Sequence, residues 1–222
     1  MTRSVVTGAN RGIGLELVRQ LAARGESVVA ACRKTSSELS ALVADIDIHE
    51  HLDVGDERSV AEFARRLGDE PVDMLINNAG ILTSEELDSL EWGRIRQQFE
   101  VNSLGPLRVT SALIPLMAAG GKIGVVSSRV GSLQDNNSGG TYGYRISKAA
   151  ANMVGVNLAH DLKPRGIAVF LLHPGYVRTA MTRGQGNSDP EEAARGLLER
   201  MDTLTLADTG TFWHANGESL PW

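Results

Sequence analysis

Short β-branched runs alternate with segments of helix-spaced apolar residues along most of this 222-residue chain. The runs that predict strands cover residues 4–7, 27–32, 46–52, 72–76, 122–128 and 167–172. Strands that alternate with helices form a parallel sheet, because each helix carries the chain back to the edge where the next strand begins. The sequence therefore predicts an α/β fold, a doubly wound parallel sheet with helices on both faces.

A glycine-rich turn joins the first strand to the first helix. Gly8, Gly12 and Gly14 follow Thr7 with the spacing G-x-x-x-G-x-G, which differs from the more common G-x-G-x-x-G. Glycines there let backbone N–H groups approach a pyrophosphate at the positive end of the helix. The turn predicts a dinucleotide site, and a tight turn without a ligand is the alternative.

The residues after the second strand bear on which dinucleotide would bind. Many NAD-binding folds place a carboxylate there to hold the adenosine ribose. Here the strand runs into Arg33 and Lys34, and no acid follows until Glu38. These cations, with Arg11 in the glycine turn, would attract a 2′-phosphate. NADP(H) is the expected cofactor and NAD(H) remains possible; plain surface basic residues are the alternative reading.

Tyr144 and Lys148 are the clearest candidates for chemistry. If they open a helix, they share one face, because they are four residues apart. An ammonium beside a phenol favours the phenolate, which would make the tyrosine an acid and base near neutral pH. An exposed Tyr and Lys at helical spacing would look the same, so the motif depends on its context.

Composition sets the class of protein. The hydrophobic share of 42% and the charged share of 22% fit one globular domain over residues 1–222. A net charge of −5 without a basic cluster argues against nucleic acid. The single Cys32, the absence of a signal-peptide pattern after Met1 and of a membrane-length apolar stretch predict a cytoplasmic protein without membrane partners. The scattered histidines lack metal-ligand spacing, so no metal site is expected.

Several further elements are predicted from apolar spacing and composition. Leu39, Leu42 and Val43 suggest a short helix, and residues 95–113 a long one that carries Asn102 and bends near Gly105-Pro106. The Tyr144 helix is expected to run to about Leu162. Residues 181–189 are expected to form either a mobile loop over a pocket or a surface connection. The aromatic tail residues Phe212, Trp213 and Trp222 are expected to pack on the body or a partner subunit rather than line a pocket.

Together these stretches resemble the short-chain dehydrogenase/reductase family. The motifs that carry the resemblance are Thr7-Gly8-x-x-x-Gly12-x-Gly14, Asn77-Asn78-Ala79-Gly80, Asn102, Ser128, Tyr144-x-x-x-Lys148 and Pro174-Gly175. The resemblance implies a Rossmann domain that also contains the active site. Residues 170–175, Arg178-Thr179 and the ending 217–222 are similar to the branch with the C-factor and sniffer proteins, which includes carbonyl reductases.

The resemblance also implies roles. Tyr144 would protonate the carbonyl oxygen, and Lys148 would lower the Tyr144 pKa and bind the nicotinamide ribose. Ser128 would hold the substrate oxygen, and Asn102 would position a water on a proton path. The residues implied in cofactor binding are Gly8, Asn10, Arg11, Gly12, Ile13, Gly14, Arg33, Asp53, Val54, Asn78, Ala79, Gly80, Tyr144, Lys148, Pro174, Gly175, Val177 and Thr179.

The implied function is an NADP(H)-dependent oxidoreductase that interconverts a carbonyl and an alcohol on a small substrate. The implied assembly is a homodimer or homotetramer, paired through the Asn102 and Tyr144 helices. One departure is that the segment between Ser128 and Tyr144 is longer than usual, so their geometry depends on residues 134–140. Ser127 or Ser132 could replace Ser128. A non-catalytic nucleotide-binding signalling or redox-sensor protein, and an epimerase or dehydratase, are the alternatives.

Overall fold

The computed structural model describes residues 2–42 and 46–222, which contain a seven-stranded, wholly parallel sheet. The strands are β1 (Arg3–Thr7), β2 (Ser27–Ala31), β3 (Ile46–His49), β4 (Met74–Asn77), β5 (Lys122–Val126), β6 (Ala168–His173) and β7 (Phe212–His214). Their order in space is β3-β2-β1-β4-β5-β6-β7. The predicted doubly wound α/β fold is confirmed.

Helices cover both faces of the sheet. They are α1 (Gly12–Ala23), α2 (Ser37–Ser40), α3 (Glu57–Leu67), α4 (Trp92–Phe99), α5 (Gly105–Leu113), α6 (Tyr142–Leu162) and α7 (Pro190–Thr203). The short helix predicted around Leu39 is α2, and its predicted end at Val43 lies outside the described residues. No helix in the described part of the chain is both long and apolar enough to cross a membrane.

The sheet separates two apolar layers, because successive side chains of a strand point to opposite faces. Val6 of β1 packs with Leu17 of α1 and Leu197 of α7 on one face. Val5 of β1 packs with Phe63 of α3 on the other, where α5 and α6 also contribute. Both layers stop at the carboxyl ends of the strands, where polar and glycine residues take over.

The third strand is shorter than the predicted range of residues 46–52. It ends at His49, and His51 adopts a positive φ of 68°, which extended backbone does not allow. The Leu52 N–H still donates to the Cys32 carbonyl oxygen at 3.0 Å. The chain therefore turns at His51 and brings Leu52 and Asp53 back beside the end of β2.

The long helix predicted over residues 95–113 is interrupted. Between α4 and α5 lies a π-helical segment, Glu100–Leu104, immediately before the expected bend at Gly105-Pro106. Such a segment accommodates an extra residue inside a helix and is often found at functional sites. Asn102 lies in it and is 1% exposed.

The carboxyl-terminal region is more regular than predicted. Helix α7 and strand β7 were not expected, because the aromatic residues of β7 were interpreted only as packing residues of a tail. Residues 181–189 lead into α7; Arg178 forms an ion pair with Asp189 at 2.8 Å, and Val177 bridges to Ser188. Phe212 is buried and stacks on Trp222 with ring centroids 5.6 Å apart, as packing on the body requires.

Candidate active site

A cleft opens at the carboxyl ends of β1 and β4, where the order of the strands reverses. Parallel α/β sheets bind ligands at such a point. The glycine turn fits there only without side chains: a Cβ on Gly8 would lie 2.9 Å from Ala79 Cα, and one on Gly14 would lie 2.2 Å from the Gly8 carbonyl oxygen. Gly8 and Gly12 also have positive φ values of 67° and 54°. The turn is thus a backbone cradle in front of helix α1.

The cleft has a volume of about 580 Å³. The predicted cofactor residues that line it are Gly8, Asn10, Arg11, Gly12, Ile13, Gly14, Arg33, Asp53, Val54, Asn78, Ala79, Gly80 and Thr179. Lys34, expected to attract a phosphate, also lines it, and the lining residues that the prediction missed are Cys32, Leu52, Ile81, Gln97, Val101, Ala180 and Met181. Several of these adjoin a predicted residue, but Gln97 and Val101 lie on helical segments and carried no signal in the sequence.

Three cations stand at one end of the cleft. Arg11, Arg33 and Lys34 are exposed on its wall, and none of them makes an ion pair with another described residue. Asn10 holds the two loops together, because its Nδ2 donates to the Lys34 carbonyl oxygen at 2.9 Å. This end of the cleft can therefore receive a phosphate group.

Five predicted cofactor residues do not line this cleft: Tyr144, Lys148, Pro174, Gly175 and Val177. Tyr144 and Lys148 lie beyond Gly80, because a Cβ on Gly80 would come within 3.8 Å of Lys148 Nζ. Val177 is buried, and its carbonyl oxygen accepts from the Thr182 hydroxyl at 2.7 Å. The roles predicted for these residues stay predictions.

Tyr144 and Lys148 share a face of α6, as their spacing predicts. The Lys148 Nζ lies 5.7 Å from the centre of the Tyr144 ring and donates to the Val126 carbonyl oxygen at 2.8 Å. The ammonium is therefore fixed to the last residue of β5 rather than to the phenol oxygen.

Burial dominates the ionisation of both groups. It raises the pKa of Tyr144 to about 12, while a hydrogen bond with Ser128 acts in the opposite direction. It lowers the pKa of Lys148 to about 8, because the buried ammonium loses hydration. The expected lowering of the Tyr144 pKa by Lys148 is not found in this structure. At neutral pH the Tyr144 phenol is therefore protonated.

Ser128 begins a short 3₁₀ turn, Arg129–Gly131, that packs against α6. The packing needs a glycine, since a Cβ on Gly131 would lie 2.7 Å from the Lys148 carbonyl carbon. This contact keeps Ser128 beside Tyr144. The two alternative serines are engaged elsewhere: Ser127 donates to Asn152 Oδ1 at 2.5 Å, and Ser132 accepts from the Asp135 N–H at 3.1 Å.

Asn102 connects the π-helical segment to the site. Its Oδ1 accepts from the Ile81 N–H at 2.9 Å, and its Nδ2 donates to the Ile81 carbonyl oxygen at 2.8 Å and the Ser147 hydroxyl at 3.0 Å. Asn102 thereby joins the loop after β4 to α6. A Cβ on Gly80 would lie 3.3 Å from Asn102 Oδ1, so this side chain also borders the space beside Lys148.

The longer segment between Ser128 and Tyr144 is held by the carboxyl-terminal tail. Arg129 pairs with Asp135 at 2.7 Å and with Glu218 at 2.8 Å. The Gln134 N–H donates to the Trp222 carbonyl oxygen at 2.8 Å. These contacts tie the Ser128 loop to the carboxyl-terminal tail.

The residues present fit a dinucleotide. The glycine cradle offers backbone N–H groups, the cations offer charge to a phosphate, and the cleft leads from both to Gly80, beyond which Lys148 lies. A protonated phenol next to a serine hydroxyl can bind and protonate a carbonyl oxygen. The arrangement therefore suits the reduction of a carbonyl group, in which the carbon receives a hydride and the oxygen receives a proton.

Comparison with known sequences gives matches over the whole chain. The family model for short chain dehydrogenase matches residues 3–190. A 1-hydroxy-2-glutathionyl-2-methyl-3-butene dehydrogenase from Rhodococcus sp. (strain AD45) is 46% identical over 228 aligned residues, with 100% of both chains covered. The C-signal protein of Myxococcus xanthus is 40% identical over 163 residues, which cover 72% of this chain and 98% of that protein.

A solved structure gives the same likeness in three dimensions. The NADPH-bound carbonyl reductase from chicken fatty liver superposes with a TM-score of 0.91 at 29% identity, covering 100% of this chain and 99% of that one. The resemblance to the branch with C-factor and carbonyl reductases is confirmed by these relatives.

Proposed function

The chain belongs to the short-chain dehydrogenase/reductase family, and on that premise we propose that it is an NADP(H)-dependent oxidoreductase that interconverts a carbonyl and an alcohol on a small substrate. The assembly of four side chains supports this most directly. Asn102 comes from the π-helical segment, Ser128 from the loop after β5, and Tyr144 and Lys148 from α6, and these three segments bring the four side chains together beyond Gly80 at the end of the cleft.

In the proposed reduction, bound NADPH supplies the hydride to the carbonyl carbon. The Ser128 hydroxyl donates a hydrogen bond to the substrate oxygen, where negative charge grows. Tyr144 then gives its phenolic proton to that oxygen. A pKa of about 12 keeps Tyr144 protonated at neutral pH, and an alkoxide is a stronger base than a phenolate, so the transfer is favourable.

Lys148 serves the tyrosine indirectly in this proposal. Its Nζ is fixed on the Val126 carbonyl oxygen and has hydrogen atoms left to donate to a cofactor ribose. With a pKa lowered to about 8, it can lose and regain a proton more easily than an exposed lysine. The hydrogen bonds from Asn102 to Ile81 and to Ser147 fix the loop after β4 against the first turns of α6, which carry Tyr144 and Lys148.

The preference for NADP(H) is proposed from the cations of the cleft. Arg33 and Lys34 follow β2 where a ribose-binding carboxylate would otherwise stand, and Arg11 lines the same cleft. The NADPH-bound carbonyl reductase to which the chain is similar supports the same preference.

A substrate panel tests the function. The purified protein is mixed with NADPH and a series of aldehydes, ketones and quinones, and with NADP⁺ and alcohols, including an alcohol with a glutathione thioether. The thioether is included because the relative at 46% identity is named for such a substrate. Turnover of at least one pair with NADP(H) supports the proposal.

A nucleotide-binding signalling protein is the second candidate, because the C-signal protein is 40% identical. It predicts NADPH binding without turnover of any carbonyl. The presence of all four active-site residues favours the enzyme, and binding without turnover across the panel would favour the signalling protein.

We also propose a homodimer or homotetramer in the cytoplasm. Trp92, Leu107 and Met153 leave exposed apolar surface on α4, α5 and α6, with Met153 62% exposed. Val156, also on α6, does not belong to this surface, because it packs against Leu171 and Phe212. A monomer mass in light scattering at micromolar concentration would overturn the proposed assembly.

Cys32, a free and buried thiol, fits a reducing compartment.

A further inference from the structure

A buried carboxylate lies at the start of the helix that carries Tyr144. Glu85, in the loop after β4, is 2% exposed. Its Oε2 accepts a hydrogen bond from the Gly143 N–H at 3.1 Å. Gly143 is the second residue of α6, one position before Tyr144. A side chain 58 residues earlier in the sequence therefore caps the first turn of this helix.

The helix has no cap of its own. Thr141 stands at the cap position with φ 44° and ψ 48°, and its side chain makes no capping hydrogen bond. A cap residue normally has extended backbone and accepts from an N–H group of the first turn. Thr141 is in the left-handed region and cannot do this. Glu85 supplies the acceptor and places negative charge at the positive end of the helix.

The carboxylate itself is held by two further donors. The Thr83 hydroxyl and Gln98 Nε2 both donate to Glu85 Oε1, the latter at 3.0 Å. The Thr83 N–H donates to Gln98 Oε1 at 3.0 Å, which fixes the orientation of that amide. Three donors thus point at Glu85, and an ionised carboxylate accepts from all of them.

The close approach requires a glycine in the helix. A Cβ on Gly143 would lie 2.3 Å from Gln98 Nε2 and 3.1 Å from Glu85 Oε2. Any larger residue would push the network away from the helix. The absence of a side chain at Gly143 is therefore as necessary to this contact as the carboxylate of Glu85.

We propose that Glu85, oriented by Gln98, is a positioning residue that fixes the first turn of α6 and so holds the Tyr144 phenol beside Ser128. The inference rests on the proposed function for its kinetic consequence. It adds that the loop after β4, which borders the cleft through Ile81, also sets the placement of the acid.

The first variant is Glu85→Gln. The new amide has one acceptor oxygen in place of two. If this oxygen accepts from the Gly143 N–H, the NH₂ group faces the Gln98 amide donor; if the amide is turned over, the NH₂ group faces the Gly143 N–H. In either orientation two donors face each other. We expect kcat for carbonyl reduction to fall about 10- to 100-fold with little change in the KM for NADPH, as a displaced acid predicts. Amide hydrogen exchange at Gly143 should become faster. Glu86→Gln, at the exposed neighbouring position, is the matched control.

The second variant exchanges the two side chains, Glu85→Gln with Gln98→Glu. The amide oxygen at position 85 then accepts from the Gly143 N–H, and its NH₂ group donates to the new carboxylate at position 98. The Thr83 hydroxyl accepts from the same NH₂ group, and the Thr83 N–H still finds an acceptor. We expect kcat to recover most of the loss, and exchange at Gly143 to slow again.

Two outcomes would overturn the proposal. One is wild-type kcat and wild-type Gly143 exchange in Glu85→Gln; the other is a folded double variant with no recovery in either measurement. Because exchange is measured without substrate, it tests the cap even if no carbonyl is turned over. Conversely, if the wild type reduces a carbonyl and Glu85→Gln does so equally well, the proposed function stands and the positioning role is wrong.

Discussion

Lys148 is tied to the end of β5 by one hydrogen bond, from its Nζ to the Val126 carbonyl oxygen at 2.8 Å. Val126 lies two residues before Ser128, and the bond holds the ammonium 5.7 Å from the centre of the Tyr144 ring. Burial, and not a neighbouring charge, governs the Tyr144 pKa. The geometry gives a protonated phenol, a fixed lysine and a serine in one place, and each can be tested separately.

Tyr144→Phe removes the phenolic proton and keeps the ring. We expect NADPH still to bind and carbonyl reduction to fall by at least the 10²–10⁴-fold typical of a positioned acid. Tyr142→Phe, two residues earlier on the same helix, is the control and should keep its activity. Near-wild-type turnover by Tyr144→Phe, measured by loss of NADPH absorbance, would show that the tyrosine is not the acid.

Arg33→Ala tests the choice of cofactor. Charge-assisted hydrogen bonds to a phosphate contribute about 1.5–3 kcal/mol each, so we expect the Kd for NADPH to rise about 10- to 100-fold while the Kd for NADH changes little. The exposed Arg94, which pairs with Glu91 on α4, gives a matched control in Arg94→Ala. Equal affinity of the wild type for both cofactors, titrated by fluorescence, would contradict the assignment.

Lys148→Met tests the ionisation of the buried lysine. Burial lowers the pKa of Lys148 from 10.5 to about 8 in the folded protein. Between these values the unfolded chain binds a proton that the folded protein does not, so the free energy of unfolding of the wild type should rise with pH. The variant lacks this contribution. The difference in the free energy of unfolding between wild type and variant should therefore grow by roughly 3 kcal/mol at most between pH 8 and pH 10.5.

Urea titrations of wild type and Lys148→Met at pH values from 7 to 10 would measure that difference. A constant difference over the whole range would mean that the Lys148 pKa is not lowered. The same variant should lose both turnover and affinity for NADPH, because the proposed roles of Lys148 are in proton transfer and in ribose binding.

Gly131→Ala tests the contact that holds Ser128 beside α6. The added Cβ would meet the Lys148 backbone at 2.7 Å, which cannot relax without moving the turn. We expect a loss of about 1–3 kcal/mol in the free energy of unfolding and a lower kcat. Gly93→Ala in α4 has no atom within 4 Å of the new Cβ and should leave stability equal or slightly raised. Equal stability of the two variants would show that the packing of the turn is looser than described.

The parts of the site that were predicted correctly have local signatures. The glycine turn needs positive φ values and close approach, and the Tyr144 and Lys148 spacing needs only a helix. The Glu85 contact with Gly143 joins segments that are far apart in sequence, and nothing local announces it. Gln97 and Val101 line the cleft only because of the way their helix crosses it.

The carboxyl-terminal region was missed for a related reason. Strand β7 has three residues, too few to show an alternating pattern, and it lies at the edge of the sheet beside β6. Its place is set by tertiary contacts, such as the stack of Phe212 on Trp222. The pKa of Tyr144 likewise depends on burial, which the sequence spacing does not contain.

The π-helical segment around Asn102 should make the protein more sensitive to the deletion of a residue there than to a substitution. Removing one residue from Glu100–Leu104 would let α4 and α5 join as one regular helix, because the segment holds one residue more than a regular helix needs, and the widened turn that carries Asn102 would be lost. Asn102 would then lose its hydrogen bonds to Ile81 and Ser147, although a deletion at any position other than Val101 removes no side chain that lines the cleft. Among variants that change a single codon here, a deletion should therefore be selected against more strongly than an exchange of amino acids.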